Sequence, residues 1–273
     1  MLNQCIFNPS MEYHMNLKSK IALAAVALTA GSAAMAQLSY NVGAVNDYRF
    51  RGIEQTAGGP SAQGGVDYAH ASGAYVGVWA ATGLKWIKEF NGATKGEYEV
   101  DLYGGYKFEA LGLGFDVGAI TYQYPGNDSG DSSTPGGSTN YSKADTNELY
   151  VGVTYKIVTL KYNHSVGDFL GNKDTNGSRY WDLSATFDMG SGFTLVPHYG
   201  VQTLPTNSTS NSSDTASYSD YALTLTKDFG KGLTASIAAV GTDAKKSFYT
   251  NTFENKDRYL GKNGVTVGVK YTF

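Results

Sequence analysis

The chain has 273 residues, with 34 glycines, 21 tyrosines, 6 prolines and a formal net charge of −3 at pH 7. This mildly acidic balance argues against a nucleic-acid partner, and no stretch after residue 36 has the ~20 consecutive apolar residues of a membrane-spanning helix. The mean hydropathy is −0.28, which suits a transmembrane β-barrel, because a barrel needs apolar residues only at every second position.

The first 36 residues have the features of a secretory signal peptide. Two lysines, Lys18 and Lys20, precede the apolar run Ile21–Thr29, and an Ala-Met-Ala motif ends at Ala36. A basic segment, a short apolar core and such a motif predict export with cleavage between Ala36 and Gln37.

This cleavage leaves residues 37–273 as a single predicted domain. Residues 1–14 precede a second methionine, and we interpret them as an over-extended start. They contain the only cysteine of the chain, Cys5, so the exported domain has no thiol and no disulfide framework.

Alternation of apolar and polar side chains predicts about twelve strands. In chain order they cover residues 38–49, 61–70, 75–81, 97–108, 113–124, 146–157, 159–166, 181–188, 193–201, 221–229, 233–237 and 265–273. The fourth has the clearest pattern, since Tyr98 and Val100 alternate with Glu97 and Glu99. Pro197 lies within the ninth and predicts a bulge or a local break, because proline has no N–H to donate.

Short and long connections alternate between these strands. Short turns are predicted at residues 71–73, 109–112, 157–158, 190–192 and 230–232, and long polar connections between them. This arrangement predicts an all-β fold, an antiparallel up-and-down transmembrane β-barrel of the bacterial outer membrane with both termini in the periplasm. A soluble barrel would have to bury Glu97, Glu99 and Asp101 away from water, which is costly. A soluble sandwich could expose them and is the weaker alternative.

The last strand ends on an aromatic residue, with apolar residues on one face and polar or small residues on the other. Outer-membrane barrels resemble one another in having such a last strand, and their assembly machinery recognises the terminal Phe of that strand. The predicted assembly signal consists of Val265, Val267, Val269, Tyr271 and Phe273.

Other aromatic residues cluster near the predicted strand ends, where interfacial girdles form. The predicted girdle residues are Tyr48, Phe50, Tyr98, Phe108, Trp181, Phe193, Tyr221, Phe229, Tyr271 and Phe273. Ordinary strand aromatics are the alternative interpretation.

The start of the domain carries a family resemblance. Residues 41–53 read NVGAVNDYRFRGI, residues 63–68 read QGGVDY and residues 72–79 read SGAYVGVW. This opening, which covers the first three predicted strands, resembles the TorF porin family of Gram-negative outer-membrane proteins, whose function is uncharacterised. The resemblance implies a porin-like barrel and supplies neither catalytic residues nor a substrate.

Charged side chains on the inward face are expected to line a narrow aqueous pore. Twelve strands ~4.8 Å apart and tilted by ~40° give a backbone radius of roughly 12 Å before side chains fill the space. The candidate pore-lining residues are Asp47, Arg49, Glu97, Glu99, Asp101, Asp116, Glu148, Lys156, Lys161, Asp182 and Lys270. Arg51 is expected beside Arg49 at the outer mouth. Acidic groups in the outer half favour cations, and a wetted wall of paired charges is the alternative.

No catalytic, metal-binding or cofactor-binding constellation is predicted. His164 and Ser165 are adjacent on one strand and therefore point to opposite faces, so they cannot form a catalytic dyad. The leading hypothesis is a passive channel for small polar solutes with a mild cation preference. Its expected partners are outer-membrane lipid, the assembly machinery and the solutes. A structural or surface-interaction barrel acting through its long loops is the second hypothesis, and a barrel enzyme is the third.

Overall fold

The computed structural model describes residues 37–91, 93–129, 141–205, 216–253 and 256–273. Within these ranges the chain forms a closed antiparallel barrel of twelve strands, which confirms the predicted fold. Neighbours in the chain are neighbours in the wall, and the last strand pairs with the first. No helix in the same ranges is long and apolar enough to cross a membrane. The predicted signal peptide, up to Ala36, lies outside the described residues.

Strands make up most of the described chain, and two short helices lie in the connections between them. In chain order the elements are β1 (Gln37–Val45), β2 (Arg49–Phe50), β3 (Ile53–Glu54), β4 (Ser61–Ala69), β5 (Ala74–Thr82), α1 (Trp86–Asn91), β6 (Tyr98–Ala110), β7 (Leu113–Gln123), β8 (Thr146–Tyr155), β9 (Val158–Ser165), β10 (Arg179–Ala185), β11 (Phe187–Gly190), β12 (Phe193–Thr203), β13 (Tyr218–Gly230), β14 (Leu233–Thr242), α2 (Lys246–Tyr249), β15 (Thr250–Phe253), β16 (Lys256–Tyr259) and β17 (Gly264–Thr272). β2 with β3 and β15 with β16 form hairpins that are separate from the wall, while β10 and β11 together occupy one wall position.

The wall has an apolar outer surface. On β17, Val265, Val267 and Val269 are each at least 50% exposed. Thr266 and Gly268, which alternate with them, are less exposed and face the lumen. The same alternation runs around the barrel, so the face that a soluble barrel would cover with polar groups is apolar here.

Aromatic side chains are exposed on the outer surface near both ends of the wall. They are Tyr98, Phe108, Trp181, Phe193, Tyr221, Phe229, Tyr271 and Phe273. Tyr48 and Phe50 are not among them, because both pack against a buried apolar cluster at the end that carries the long connections. Their assignment to the girdle is therefore wrong.

The wrong assignment of Tyr48 and Phe50 has a local cause. β1 ends at Val45, four residues before the bound that the alternation predicts, and the chain bends at Asn46 and Asp47. Asn and Asp favour turns because their side chains hydrogen bond to nearby backbone groups. The following residues form the β2–β3 hairpin and continue away from the wall.

Short turns close the opposite end of the barrel. Between β6 and β7 the turn residues Leu111 and Gly112 have φ angles of 55° and 73°. Two successive positive φ angles give the type I′ geometry, whose twist matches that of the flanking strands. Ser191 and Gly192, between β11 and β12, repeat this pattern with φ angles of 51° and 77°.

The break expected near Pro197 occurs in the neighbouring strand. β12 is continuous and pairs with β13 through Pro197 without a shift in register. Its pairing with β10 ends at His198, and its pairing with β11 begins at Leu195. The same register places Ala185 opposite Pro197, so the interruption at Thr186 lies next to the position where β12 has no N–H to donate.

Candidate functional site

The end of the barrel with the long connections is filled by an inward-folded segment. We call residues 46–60 the plug; it contains the β2–β3 hairpin. Its tip residues Arg51 and Gly52 both have positive φ, 47° and 81°, as a two-residue type I′ turn requires. A Cβ on Gly52 would lie 2.5 Å from Thr242 Cγ2 and 2.8 Å from Asp220 Cβ, so only glycine fits against β13 and β14.

Arg51 ties the tip of the plug to the barrel wall. Its Nη2 atom donates to Glu148 Oε2 on β8 at 2.6 Å, and its Nη1 atom donates to Gln202 Oε1 on β12 at 2.7 Å. Glu148 also accepts from Ser165 Oγ and Tyr122 Oη, each at 3.3 Å. The Arg51 and Glu148 side chains are 5% and 1% exposed, so this is a buried and fully partnered ion pair.

Aromatic rings surround the same guanidinium group. The Arg51 Cζ atom lies 4.2 Å from the ring centroid of Tyr180 and 4.7 Å from that of Phe50. Such cation–π contacts are strongest where water is excluded. Burial lowers the pKa of Arg51 and the Glu148 carboxylate raises it, with a net rise, so the guanidinium remains charged.

A second ionic cluster holds the base of the plug. Glu54 is 1% exposed and accepts from Arg49 Nη2 at 3.0 Å and from Arg258 Nε at 2.7 Å. Arg49 also donates to Asp47 Oδ2 at 2.9 Å and to the Lys262 carbonyl at 2.6 Å. The plug is thereby joined to the connection between β14 and β17.

Apolar packing completes the anchoring of the plug. Ile53 belongs to a buried cluster with Leu84, Trp86 and Ile87 from the connection between β5 and β6. In the same region the backbone N–H of Lys85 donates to the carbonyl of Gln55 at 2.9 Å. The largest buried apolar cluster of the described residues thus lies at the mouth of the barrel and includes the plug.

Below the plug, one side of the lumen is crowded with tyrosines and charges. Tyr75 Oη donates to Asp116 Oδ1 at 2.6 Å and also contacts the hydroxyl of Tyr150. The ammonium group of Lys161 lies 3.8 Å from the centroid of the Tyr150 ring. These side chains come from β5, β7, β8 and β9 and occupy that half of the lumen.

The opposite side of the lumen is lined by smaller residues. Gly43, Gly268 and Ser236 line a cavity of about 160 Å³ on the wall formed by β4, β1, β17, β14 and β13. Lys270 reaches the same space. Open volume in the lumen therefore lies to one side of the barrel axis.

Glu99 and Asp101 form a pair of buried acids on the inner face of β6. They are 1% and 7% exposed, and Glu99 Oε2 and Asp101 Oδ1 have no hydrogen-bond partner among the described residues. Tyr48 of the plug, Tyr122 and Tyr124 lie close enough to interact with this pair electrostatically. No cation is paired with either acid within the ranges that the structure describes.

His198 of β12 is held between two carboxylates from the neighbouring strands β10 and β13. Its Nδ1 atom lies 3.3 Å from Asp182 Oδ2, and its Nε2 atom lies 2.8 Å from Asp220 Oδ1. Tyr180 Oη adjoins the same group at 3.1 Å from Nε2. Because both ring nitrogens face carboxylates, the ring serves as a charged partner for them rather than as a free base.

Most of the candidate pore-lining residues point into the lumen from the wall. These are Glu99, Asp101, Asp116, Glu148, Lys161, Asp182 and Lys270. Asp47 and Arg49 lie in the plug instead. Glu97 precedes β6, is exposed, and pairs with Lys88 at 2.5 Å, so it does not join the acidic row. Lys156 lies exposed in the turn after β8, with a φ of 54°, rather than on the wall.

The partners of Arg51 are the main feature that the sequence does not reveal. Gln202 is 151 residues away along the chain, and Tyr180 approaches Arg51 only through closure of the barrel. The Arg-Gly dipeptide at residues 51–52 is the available signal, since it marks a tight turn.

His164 and Ser165 lie on opposite faces of β9, with Ser165 fully buried against Glu148.

Comparison with known proteins gives a family and a fold. A family model described as "Bacterial protein of unknown function (Gcw_chp)" matches residues 29–273. No curated protein matches the chain. The structure of the NanC porin has a TM-score of 0.51 at 12% identity, covering 86% of this chain and 99% of that chain.

Two further solved structures show weaker similarity. The COG4313 outer membrane channel from Pseudomonas putida F1 has a TM-score of 0.49 at 11% identity, covering 88% of this chain and 96% of its own. The KdgM porin has a TM-score of 0.47 at 7% identity, covering 86% and 98%. At such low identity, the NanC likeness indicates a shared barrel fold.

Proposed function

The chain belongs to the Gcw_chp family of bacterial proteins of unknown function, and we propose that it is a porin-like outer-membrane channel for passive diffusion of small hydrophilic solutes. The observation that carries the proposal is the polarity of the wall, which is apolar outside and charged inside. Such a wall is stable in lipid because a closed barrel satisfies its own backbone hydrogen bonds. The narrower resemblance to the TorF porins stays a prediction.

The geometry of the lumen favours small solutes. The plug and the tyrosine-rich side leave a cavity of about 160 Å³ on the small-residue wall. We propose that a path through this space passes hydrated ions and small polar molecules but not folded chains. Single-channel recording of the refolded barrel tests the proposal, and stepwise conductance is expected.

A mild cation preference is the finer part of the proposal. It is supported by Glu99 and Asp101, which have no cationic partner among the described residues. By contrast, Arg51 is bound to Glu148, and His198 lies between Asp182 and Asp220. The proposed preference therefore rests on the two carboxylates of Glu99 and Asp101 in their ionised form, which attracts cations.

The packing of the long connections favours a channel over a surface-interaction barrel. Leu84, Ile87 and Leu260 from these connections are at most 2% exposed and pack around the plug. A binding surface would present such residues outward instead. We therefore interpret the connections as elements that position the plug.

We propose that the short turns face the periplasm and that the long connections face the outside. A tag inserted within residues 204–217 should then be labelled by antibody on intact cells. A tag at the Ser191–Gly192 turn should be labelled only after the outer membrane is permeabilised. Labelling of the short turn on intact cells would reverse the proposed orientation.

Phe273 is proposed to act in assembly as well as in closure of the barrel. Its backbone N–H and carbonyl exchange hydrogen bonds of 2.9 Å with Tyr40, and its ring stacks on that of Tyr40 at 5.6 Å between centroids. This contact lies at the seam where β1 meets β17.

We expect Phe273→Lys to slow insertion and to reduce the heat-modifiable barrel in the outer membrane. An aromatic pair contributes about 0.5–1.5 kcal/mol, and about 1 kcal/mol changes the ratio of folded to unfolded protein by a factor of about five. Gel mobility of unheated membrane samples measures the effect. Phe229→Lys is a matched control, because Phe229 is 61% exposed at the same end and Phe273 is 63% exposed. Equal losses in both variants, or none in Phe273→Lys, would count against a special role for Phe273.

A further inference from the structure

The cavity on the small-residue side of the lumen is surrounded by hydrogen-bonding side chains from successive strands. Asn41 of β1 and Gln63 of β4 contribute amide groups. Thr226 of β13, with Thr234 and Ser236 of β14, contributes hydroxyl groups. Each amide both donates and accepts, as does each hydroxyl, so the wall matches a ligand that carries many hydroxyl groups.

The strand register places these groups in continuous rows. Gly43 lies opposite Gln63 on one side and Lys270 on the other, and Lys270 lies opposite Thr234. Ser236 is in turn opposite Thr226. Adjacent strands are ~4.8 Å apart, so the polar groups are distributed over one patch rather than scattered along the pore.

Thr226 gives an independent indication that the patch has a ligand. Its side chain is 5% exposed, and its Oγ1 atom has no hydrogen-bond partner among the described residues. Buried hydroxyl groups in proteins are nearly always partnered. Thr226 lines the cavity and the unpartnered oxygen lies in the wall beside it, so a rotation about χ1 of Thr226 is needed to bring this oxygen to a hydroxyl group of a bound molecule.

Trp79 provides the apolar part of the cavity. It lies on β5, lines the cavity, and packs against Tyr48 of the plug with 5.5 Å between ring centroids. An indole ring beside amides and hydroxyls suits a ring-shaped ligand with apolar faces and polar edges. The contact with Tyr48 also places the patch directly below the plug.

The charges around the cavity favour a neutral ligand. Lys270 is the only charged side chain that lines it, among the described residues. Asp67 is near enough to Lys270 to offset its charge. With this offset the lining offers an anion little net attraction, whereas a neutral molecule needs none.

We infer that this wall is a binding site for a neutral, polyhydroxylated solute of monosaccharide size. The cavity volume of about 160 Å³ limits the bound part of the solute to one ring, because a cavity of about 150 Å³ holds a single benzene molecule. The inference rests on the proposed channel function and names the class of solute that binds in the lumen during passage.

Equilibrium titration of the refolded full-length barrel with D-glucose tests this site. Saturation-transfer NMR in detergent should show saturable binding, weaker for gluconate. Gln63→Leu combined with Thr226→Val should weaken glucose binding by about tenfold or more, since it removes groups from both ends of the patch. Thr121→Val is the matched control, because Thr121 faces outward on β7 and is expected to leave binding unchanged.

Tryptophan fluorescence locates the ligand. Glucose should change the emission of the wild-type barrel, and Trp79→Phe should abolish that change while NMR still detects binding. No saturable binding, equal binding by the double variant, or tighter binding of gluconate than of glucose would overturn the site. Conductance without glucose binding would refute the site alone, whereas glucose binding without conductance would refute the channel.

Discussion

Arg51→Ala is expected to raise the mean conductance of the barrel and to add rapid transitions between conductance levels. The substitution removes the contacts of the plug with Glu148 and Gln202 and leaves the Glu148 carboxylate without its cation. Removing one partner of a buried ion pair costs about 3–5 kcal/mol. A loss of this size shifts docking of the plug by a factor of about 10² or more, since about 1.4 kcal/mol is tenfold.

Matched variants separate the loss of the Arg51 contacts from a general change of charge. Arg179→Ala removes one positive charge from an exposed side chain at the same end of the barrel and should leave conductance unchanged. Arg51→Lys keeps the charge but loses the planar group that lies against Tyr180, so an intermediate effect is expected. Planar bilayer recording measures both the mean current and the frequency of transitions. If Arg51→Ala conducts like the wild type, the plug is not held by this contact.

Glu99→Gln combined with Asp101→Asn is expected to remove most of the cation preference. The two carboxylates lie on the inner face of β6 without a cationic partner among the described residues, and in their ionised form they draw mobile cations from the lumen. The double variant keeps the size of both side chains and removes two charges. Reversal potentials under a KCl gradient measure the change.

Salt dependence and a matched pair of acids sharpen this test. Electrolyte in the lumen screens the attraction of cations over ~10 Å at 0.1 M salt and ~3 Å at 1 M, so the preference should weaken as salt rises. Glu109→Gln combined with Asp188→Asn also removes two charges, but from exposed acids at the short-turn end. We expect that pair to have the smaller effect. An anion-selective pore, or equal shifts from the two pairs, would leave Glu99 and Asp101 as an ordinary part of the wall.

The barrel could be predicted from the sequence because lipid and lumen impose opposite demands on alternate residues. On β6, for example, the outward Tyr98 and Leu102 are apolar and the inward Glu99 and Asp101 are charged. A strand that meets two solvents in this way has only one register that satisfies both faces. The same reasoning correctly places the long connections at one end.

The plug could not be predicted by that reasoning. Tyr48 and Phe50 continue the alternation of β1 past Val45, so the pattern alone assigns them to the lipid face. Their actual neighbours include Trp79 of β5 and Tyr122 of β7, inward residues that they reach only because the chain turns into the lumen after Val45. The Asn46–Asp47 bend and the Arg51–Gly52 turn are local signals, but they do not tell whether a hairpin points outward or into the lumen.

The charged residues also divide into those whose position could be predicted from the sequence and those whose position could not. Glu99 and Glu148 are assignable to the lumen because strand alternation fixes their direction. Glu97 lies two residues before Glu99 but outside the strand, where it pairs with Lys88 instead. The ion pair between Arg51 and Glu148 joins residues 97 positions apart, and its formation depends on the folded path of the plug.

Single-channel recording of the refolded wild-type barrel in a planar bilayer tests the channel most directly. Heat-modifiable mobility on a gel first shows that the inserted protein is folded. We predict stepwise current increments from the wild type and larger ones from Arg51→Ala. A folded, inserted barrel that gives no ion current in either form would contradict the proposed channel.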